Sequence, residues 1–445
     1  MLLSTGGDAG SNGRVGERSF GMNTQSVPTT PWFGNDSLPL PTMRPEMRFL
    51  YCIARTKLTA SVIYNLNELL RQGLDWRFLI ETAVEHGLWP LLNQHLDHLQ
   101  KNLIPSDVRK SLREAADDWS ALARIRVGDL HRLLEASQRA GLDLIPYKGP
   151  VLGEKLYGNY ARRIFSDLDF LVQPQEVRPA CACLIAQGFR HETAIPPGWD
   201  DWFETTRHEH AFSHPTSGLY VELHWRPWQS FVGMPVDVRP FWRHRENICL
   251  EGKEISTVQT EALLFMLCLH GTKHQWNRLA WLVDVSEILH AAPSLEWSRI
   301  WPLAEESHSE RFLSIGLLLA QQLLAAPLPQ DTIRRIQADR RGVRIAGEIG
   351  CRLISGVRHT ATEKESLYFL FRALFSWRDR LKFLWGVATE PCRDDWKFCL
   401  LPPRLNGLYA MLRPCRLMGV ATRKLTPYRD VPLRVMRRSC LGKRF

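Results

Sequence analysis

Apolar residues recur every three to four positions over much of the chain, which predicts a largely helical protein. The first helical region runs from Pro45 to Gln138. Within it, one apolar face follows i, i+3, i+4, i+7, i+8 spacing: Trp76, Leu79, Ile80, Ala83 and Val84. Asp75 is a suitable N-cap for that helix, and Gly87 is a suitable stop. Helical spacing returns at Thr260 and continues in amphipathic segments to about Glu390.

The pattern between the two helical regions predicts strands. Residues 142–148 form a short strand that runs into Gly149, and residues 151–157 have helical spacing that ends at Gly158. Residues 207–214 and 219–226 predict two further strands, because the turn Pro215-Thr-Ser-Gly218 between them suits a hairpin. We therefore expect a small α/β core between two helical regions.

Three carboxylates are candidates for the chemistry of this core. Asp167 and Asp169 are two residues apart at the start of an apolar run, so both point to one face of a strand. Glu222 and His224 likewise share a face of the second hairpin strand and can meet the first two acids if the strands are neighbours. Side-by-side acids are usually stabilised by a hard cation such as Mg²⁺, which also binds phosphate oxygens. The alternative is a structural pair, since Asp-x-Asp also occurs at strand ends and in turns.

Lys148 and Gly149 precede the predicted helix 151–157 and are candidates for phosphate binding. A glycine at this turn lets backbone N–H groups approach an anion at the helix N-terminus. The alternative is that Gly149 ends a strand and that Lys148 is solvated.

Several motifs together resemble one known family. They are Lys148-Gly149, Leu156-Tyr157-Gly158, Arg163-x-x-Ser166-Asp167-x-Asp169, Gly188-Phe189 and Glu222-Leu-His-Trp225. In combination they resemble the uncharacterised nucleotidyltransferase family within the DNA polymerase β-like superfamily. Residues 75–92 and 269–284 resemble the helices that flank the core in that family, so the likeness covers about residues 45–295.

The resemblance implies an α+β fold, with a small mixed β-sheet nucleotidyltransferase core flanked by N-terminal and C-terminal helical regions. It also implies transfer of a nucleoside monophosphate from an NTP, with ATP favoured, to an acceptor that the residues do not identify. Family members of this kind resemble accessory enzymes of polysaccharide or modified-peptide biosynthesis. The implied catalytic and metal-binding residues for Mg²⁺, or Mn²⁺, are Asp167, Asp169 and Glu222. The implied nucleotide-binding residues are Lys148, Gly149, Arg163 and Ser166.

Four further residues are candidate substrate contacts: His224, His270, Lys273 and His274. His270 and His274 lie four residues apart on one predicted helix, where a structural role is the alternative. Lys273 on the same helix is equally well explained by a solvated basic face. Trp225 is assigned to packing.

One departure from the superfamily motivates a second hypothesis. The wider superfamily has a Gly-Ser pair close before its acids, whereas Lys148-Gly149 lies about twenty residues ahead of Asp167. A non-catalytic nucleotide-binding protein that retains the fold is therefore the alternative.

Length and composition predict the domain organisation and the cellular compartment of the protein. The chain has 445 residues, of which 44% are hydrophobic. We expect the following organisation: a disordered tail (1–43), a helical region (44–140), the nucleotidyltransferase core (141–257), a helical domain (258–402) and a basic tail (403–445). The ten cysteines lack Cys-x-x-Cys spacing, so reduced thiols in the cytoplasm are expected and a zinc site is not. Neither a signal peptide nor a transmembrane segment is predicted.

The net charge of +10 arises almost entirely at the C-terminal end. Residues 413–445 contain ten Lys or Arg and one acid, Asp430, a balance of +9. This segment could contact anionic membrane or nucleic acid, in which case the protein would act as an adaptor through its basic tail. A solvated tail explains the charge equally well.

Overall fold

The computed structural model describes residues 43–227, 238–356 and 361–422, with side chains described as far as residue 416. The predicted disordered tail therefore lies outside the described residues except for Met43. The chain begins with five helices: α1 (Pro45–Ile53), α2 (Ala60–Arg71), α3 (Trp76–Glu85), α4 (Trp89–Leu96) and α5 (Ser106–Arg139). The predicted cap of α3 is confirmed, because the Asp75 carboxylate accepts a hydrogen bond from the backbone N–H of Phe78.

A five-stranded mixed sheet forms the centre of the molecule. Its strands are β1 (Ile145–Pro146), β2 (Asp167–Leu171), β3 (Arg190–His191), β4 (Glu209–Ser213) and β5 (Tyr220–His224). The spatial order is β1-β2-β5-β4-β3, and within it β2 and β5 run parallel while the other pairs are antiparallel. The helices between these strands are α6 (Gly149–Tyr157), α7 (Val177–Ala186) and α8 (Asp200–Thr206). The predicted hairpin is confirmed as β4 and β5.

A short helix and a two-stranded ribbon follow the sheet: α9 (Arg239–Arg243), β6 (Arg245–Leu250) and β7 (Lys253–Val258). The remaining elements are helices: α10 (Thr260–Lys273), α11 (Leu279–Ala291), α12 (Trp297–Glu306), α13 (Glu310–Leu324), α14 (Gln330–Ala338), α15 (Arg340–Ser355), α16 (Glu363–Ala373), α17 (Trp377–Thr389), α18 (Arg393–Phe398) and α19 (Tyr409–Thr422). This arrangement confirms the α+β fold with its small mixed sheet. Among the described helices, none combines the length and apolar character needed to cross a bilayer.

The segment predicted as a basic tail begins within ordered structure. Residues 403–408 form a 3-10 turn, and α19 then packs against α17, with the Arg413 guanidinium donating to the backbone carbonyl of Val387. Arg413 and Arg416 also form ion pairs with the buried carboxylate of Asp395. The last part of that segment, residues 423–445, lies outside the described residues.

Two apolar clusters fill the interior. The larger joins the N-terminal helices α1 to α4 to the C-terminal helices α10 to α16. The smaller lies on one face of the sheet, where Phe170, Val221 and Leu223 are buried, and it extends to Trp396 and Tyr409 of the C-terminal helices. Because successive side chains point to opposite faces of a strand, burying these apolar residues places the acids of β2 and β5 together on the other face.

Candidate active site

The acids lie on the two parallel strands at the centre of the sheet. In the β2–β5 register, Asp169 is paired with Glu222 and Asp167 with Tyr220. Asp167 and Asp169 therefore share one face with Glu222 and His224. Because β2 and β5 are direct neighbours, the third carboxylate lies beside the second across the strand pair.

Asp169 is buried and accepts hydrogen bonds from two cationic groups. Lys148 Nζ is 2.9 Å from Asp169 Oδ1, and His224 Nε2 is 3.2 Å from the same oxygen. Burial alone would raise the pKa of Asp169, but Lys148 and His224 outweigh it and hold the pKa below its usual range. Burial opposes the charge on Lys148 as well, yet Asp169 raises the pKa of the ammonium above its usual value. At neutral pH the two groups form a buried ion pair.

His224 lies between three carboxylates. Its Nε2 is 3.2 Å from Glu222 Oε2 as well as from Asp169 Oδ1, and its Nδ1 is 3.3 Å from Glu209 Oε2. Burial favours the neutral ring, but the hydrogen bonds to Asp169 and Glu222 and the charge of Glu209 raise the pKa of His224 to about 9. The ring is therefore an imidazolium at neutral pH and neutralises part of the acidic charge.

Asp167 has the opposite electrostatic environment. Burial, followed by the negative charges of Asp169 and Glu222, raises its pKa to about 7, although Lys148 and Arg163 act against the shift. Around neutral pH the Asp167 carboxyl is thus divided between its protonated and ionised forms. A cation beside the three acids would favour the ionised form.

A metal ion could be held by side chains of this face. Within the described part of the chain, Asp169, Glu222 and His224 place ligand atoms within 4.8 Å of one another. Carboxylate oxygens suit Mg²⁺ or Mn²⁺, whereas the imidazole nitrogen suits Mn²⁺ better than Mg²⁺. The donor set fits a divalent ion on two conditions: Lys148 and His224 release Asp169, and the His224 imidazolium loses a proton so that a ring nitrogen can bind the ion. Asp167 lies on the same strand face but outside this tightest cluster.

Glu209 belongs to the same network and was not singled out from the sequence. It is paired with His224 across β4 and β5, and its Oε2 also lies 2.9 Å from His208 Nε2 and 3.6 Å from Lys273 Nζ. Burial would raise the pKa of Glu209, but Lys273 and His208 hold it well below its usual range. The alternation of Glu209, Ala211 and Ser213 along β4 was the available signal. Lys273, a predicted substrate contact, thus reaches the site through Glu209.

The Lys148–Gly149 turn lies against the start of β2. Gly149 begins α6 with a φ of +60°, and a Cβ built there would lie 3.0 Å from the backbone oxygen of Asp167. Glycine is required on both counts, by the left-handed backbone and by the close approach. The N-terminus of α6 is therefore beside the acids, and Ser166 is exposed immediately before β2.

Arg163, predicted to lie near the triphosphate, is bound to a buried acid. Its guanidinium donates to both carboxylate oxygens of Asp284 on α11, at 3.0 and 3.1 Å from Nε and 3.0 Å from the terminal nitrogen. The Tyr157 hydroxyl donates to the same carboxylate at 2.7 Å. Arg163 thus joins the sheet region to the C-terminal helices, and the predicted nucleotide contact stays a prediction.

The predicted histidine contacts His270 and His274 lie at the C-terminal end of α10, where His270 is half-buried and His274 is exposed. Their rings are 4.6 Å apart, and both contact Trp281 of α11. Desolvation, with Lys148 and Lys273 among the neighbouring cations, lowers the pKa of His270 well below its usual value and that of His274 to about 3. Because Lys148 acts on both rings, they lie near the acid face of the sheet, and their predicted substrate contacts stay predictions.

Two cavities lie near the sheet in the described part of the protein, and one of them includes Glu209 of the carboxylate network. One of about 490 Å³ lies beyond the ends of β2 and β5, and its wall includes Gln173, Trp225, Arg226, Arg239 and Arg243. The other, of about 330 Å³, has a wall that includes Arg207, His208, Glu209, Arg393 and Trp396. Both volumes fall in the range of small-molecule sites. The second cavity shares Glu209 with the carboxylate network.

A small mixed sheet with facing carboxylates on two parallel strands, and a glycine turn against the first strand, is the arrangement expected of a nucleotidyltransferase. A family model described as "Uncharacterised nucleotidyltransferase" matches residues 72–325, more than half of the 445 residues, and the chain belongs to this family. The match runs from α3 to α13 and confirms the resemblance. Membership supports nucleotidyl transfer as the general activity. Neither a curated protein nor a solved structure matches the chain.

Proposed function

We propose that the protein transfers a nucleoside monophosphate from an NTP to a hydroxyl or another nucleophile in a reaction that depends on Mg²⁺ or Mn²⁺. ATP is the favoured donor. The observation that carries this proposal is the direct pairing of Asp169 with Glu222 on neighbouring parallel strands, beside the Lys148–Gly149 turn. The acceptor is an unidentified small molecule or polymer end, with polysaccharide or modified-peptide precursors as the candidate classes.

The proposed reaction is a displacement at the α-phosphorus. The acceptor oxygen forms a bond to that phosphorus, the bond to the bridging oxygen of the β-phosphate breaks, and pyrophosphate leaves. Glu222 is about one-third exposed, more than Asp169, and would take the acceptor's proton. Asp167, Asp169 and Glu222 would hold the divalent ion. When bound, that ion would offset charge on the phosphate oxygens.

The other polar groups position the nucleotide and the acids. Backbone N–H groups at the start of α6, those of Gly149 and Val151 because Pro150 has none, would meet phosphate oxygens, where the helix dipole favours an anion. Lys148 is next to this turn and would exchange its contact with Asp169 for one with phosphate once a metal neutralises the acid. His224 would fix the orientation of Glu222 through its Nε2. Glu209 would hold the His224 ring in place through Nδ1.

The test is to measure by calorimetry the binding of each of the four NTPs to the protein, with and without Mg²⁺. We expect metal-dependent binding of at least one NTP by the wild type and its loss in Asp167→Asn/Asp169→Asn. Glu135→Gln is the matched control, because Glu135 is an exposed acid paired with Lys253 away from this face. A folded wild-type protein that binds no NTP would overturn the proposal.

A second candidate function is nucleotide binding without transfer. It is favoured by the ion pair between Lys148 and Asp169, which already neutralises an acid that a catalytic metal would need. Release of pyrophosphate separates the two functions. Nucleotide that is bound with metal but never yields pyrophosphate, with water or with pools of hydroxylated acceptors, would favour the binding function.

A further inference from the structure

Exposed large apolar side chains are concentrated in the C-terminal helices. Of the fifteen found among the described residues, eleven fall between residues 368 and 411. They are Tyr368, Phe375, Trp377, Leu381, Leu384, Trp385, Phe398, Leu400, Leu405, Leu408 and Met411. Single exposed apolar residues are ordinary, whereas several on one face of a helix indicate an interaction surface. All eleven lie outside the family match at residues 72–325.

Four of these eleven side chains lie on one helix, α17. Four of its side chains point outward, with exposed fractions of 64% for Trp377, 56% for Leu381, 49% for Leu384 and 69% for Trp385. We call these four residues the α17 apolar face. At 100° per residue they cover an arc of about 100° on the helix surface. The buried side of α17, including Phe383, packs against the rest of the protein.

Basic residues flank this face. Arg378 and Lys382 are exposed next to it along the same helix, whereas the acid of α17, Asp379, is buried against Ser376 and His308. Beyond α19, the sequence from residue 423 to residue 445 contains eight Lys or Arg and one acid. An aromatic and aliphatic stripe bordered by cations is typical of helices that lie in the interface of an anionic bilayer.

Charge decides between the candidate occupants of this face. In an antiparallel pairing of two copies of α17, Arg378 and Lys382 would come close to their own equivalents, so like charges would meet around the contact. An anionic lipid surface instead attracts these cations. Tryptophan also suits that environment, because its ring is apolar while its indole N–H can bind headgroups.

We propose that the α17 apolar face docks the protein on anionic membrane surfaces, with the helix lying in the interface and Arg378 and Lys382 near the lipid headgroups. The basic sequence beyond α19 adds attraction to the same surface. This role does not rest on nucleotidyl transfer, and it would act by keeping the protein at the membrane.

Sedimentation of the full-length protein with lipid vesicles tests this role. We expect the wild type to bind vesicles of phosphatidylcholine with phosphatidylglycerol better than phosphatidylcholine alone, and to bind less as salt is added. Trp377→Gln/Trp385→Gln should weaken binding about tenfold, since two interfacial anchors are removed. Arg378→Glu/Lys382→Glu should reduce the preference for anionic lipid, while the basic sequence beyond α19 retains part of it.

Tyr64→Gln/Ile125→Gln is the matched control. Tyr64 and Ile125 have similar exposed fractions, 64% and 60%, but lie on α2 and α5. This variant should bind vesicles as the wild type does, and all variants should keep wild-type NTP binding. The inference is overturned if the wild type ignores anionic vesicles or if the α17 variant binds them normally. The inference would also be overturned if the wild type is a dimer and the α17 variant is a monomer, because the face would then be the contact with a second copy.

Discussion

Lys148 is the cationic partner of Asp169. Its side chain is 11% exposed and its ammonium is 2.9 Å from Asp169 Oδ1. Removing one partner of a buried ion pair leaves an uncompensated charge, which costs about 3–5 kcal/mol. Lys148→Met should therefore lower the melting temperature. Because a divalent cation would then become the counter-charge for Asp169, millimolar Mg²⁺ or Mn²⁺ should raise the melting temperature of the variant more than that of the wild type.

Lys155→Met provides the control for this experiment. The Lys155 side chain is also 11% exposed and forms an ion pair with Glu246, away from the acids of β2 and β5. Its substitution should lower stability without any gain in the response to metal. Equal metal responses in the wild type and Lys148→Met would contradict a metal site at Asp169.

The alternation of side chains along a strand is a local property, and it was enough to place three acids on one face. The ion pair of Arg163 with Asp284 spans 121 residues of sequence, and no local pattern connects its two members. Glu209 is an intermediate case, because its alternation is visible but its contact with His224 depends on how β4 pairs with β5. Side-chain type and spacing thus predict candidates, whereas their partners follow from the fold.

At the scale of elements, His86 at the C-terminal end of α3 caps the N-terminus of helix α11. The backbone N–H of Leu279 donates to His86 Nδ1 at 3.2 Å, and the N–H of Ala280 donates to the His86 carbonyl at 3.1 Å. Accepting a hydrogen bond at Nδ1 requires a neutral ring. Burial, and then the charge of Arg278, lowers the pKa of His86 to about 4.

This cap predicts a pH-dependent stability. Since the pKa of His86 is lower in the folded than in the unfolded chain, the unfolded chain binds more protons between pH 4 and 6.5. His86 therefore contributes its full stabilisation above pH 6.5 and loses it as the pH falls towards 4, by up to about 3 kcal/mol. In His86→Asn the amide oxygen can accept the Leu279 N–H without titrating.

Urea unfolding of both proteins between pH 4 and 7 measures this effect. The free energy of unfolding should fall more steeply with acid in the wild type than in His86→Asn. Parallel curves would show that His86 does not set the acid sensitivity. His95, whose pKa is also lowered to about 4 by burial, is present in both proteins and cancels in the comparison.

Helices and strands with strong periodicity were predictable, and the short elements were not. Helix α3 and the β4–β5 hairpin agree with their patterns, because cap, turn and apolar spacing all favour one structure. The β6–β7 ribbon was not predicted. Its turn has positive φ at both Glu251 and Gly252, the geometry that usually selects Asn-Gly or Asp-Gly, so a Glu-Gly turn gives a weaker sequence signal.

At the scale of the whole molecule, one buried carboxylate joins the nucleotidyltransferase core to the C-terminal helices. Asp284 on α11 is fully buried and accepts hydrogen bonds from Arg163, just before β2, and from Tyr157 at the end of α6. The sheet and the helical region each contribute to this contact. Its strength should therefore affect the stability of both parts together.

Asp284→Asn removes the negative charge while retaining a side chain of similar size. Arg163 would keep its buried positive charge without a counter-ion, so the free energy of unfolding should fall by about 3–5 kcal/mol in urea titrations. Asp331→Asn, which disrupts an exposed pair with Arg334, should change it by less than about 1 kcal/mol. A small effect of Asp284→Asn would contradict a structural role for the pair.

The variant Arg163→Met tests whether Arg163 also contacts the triphosphate. If it does, Arg163→Met should lose more NTP affinity than Asp284→Asn. Equal affinities of the two variants would leave Arg163 purely structural.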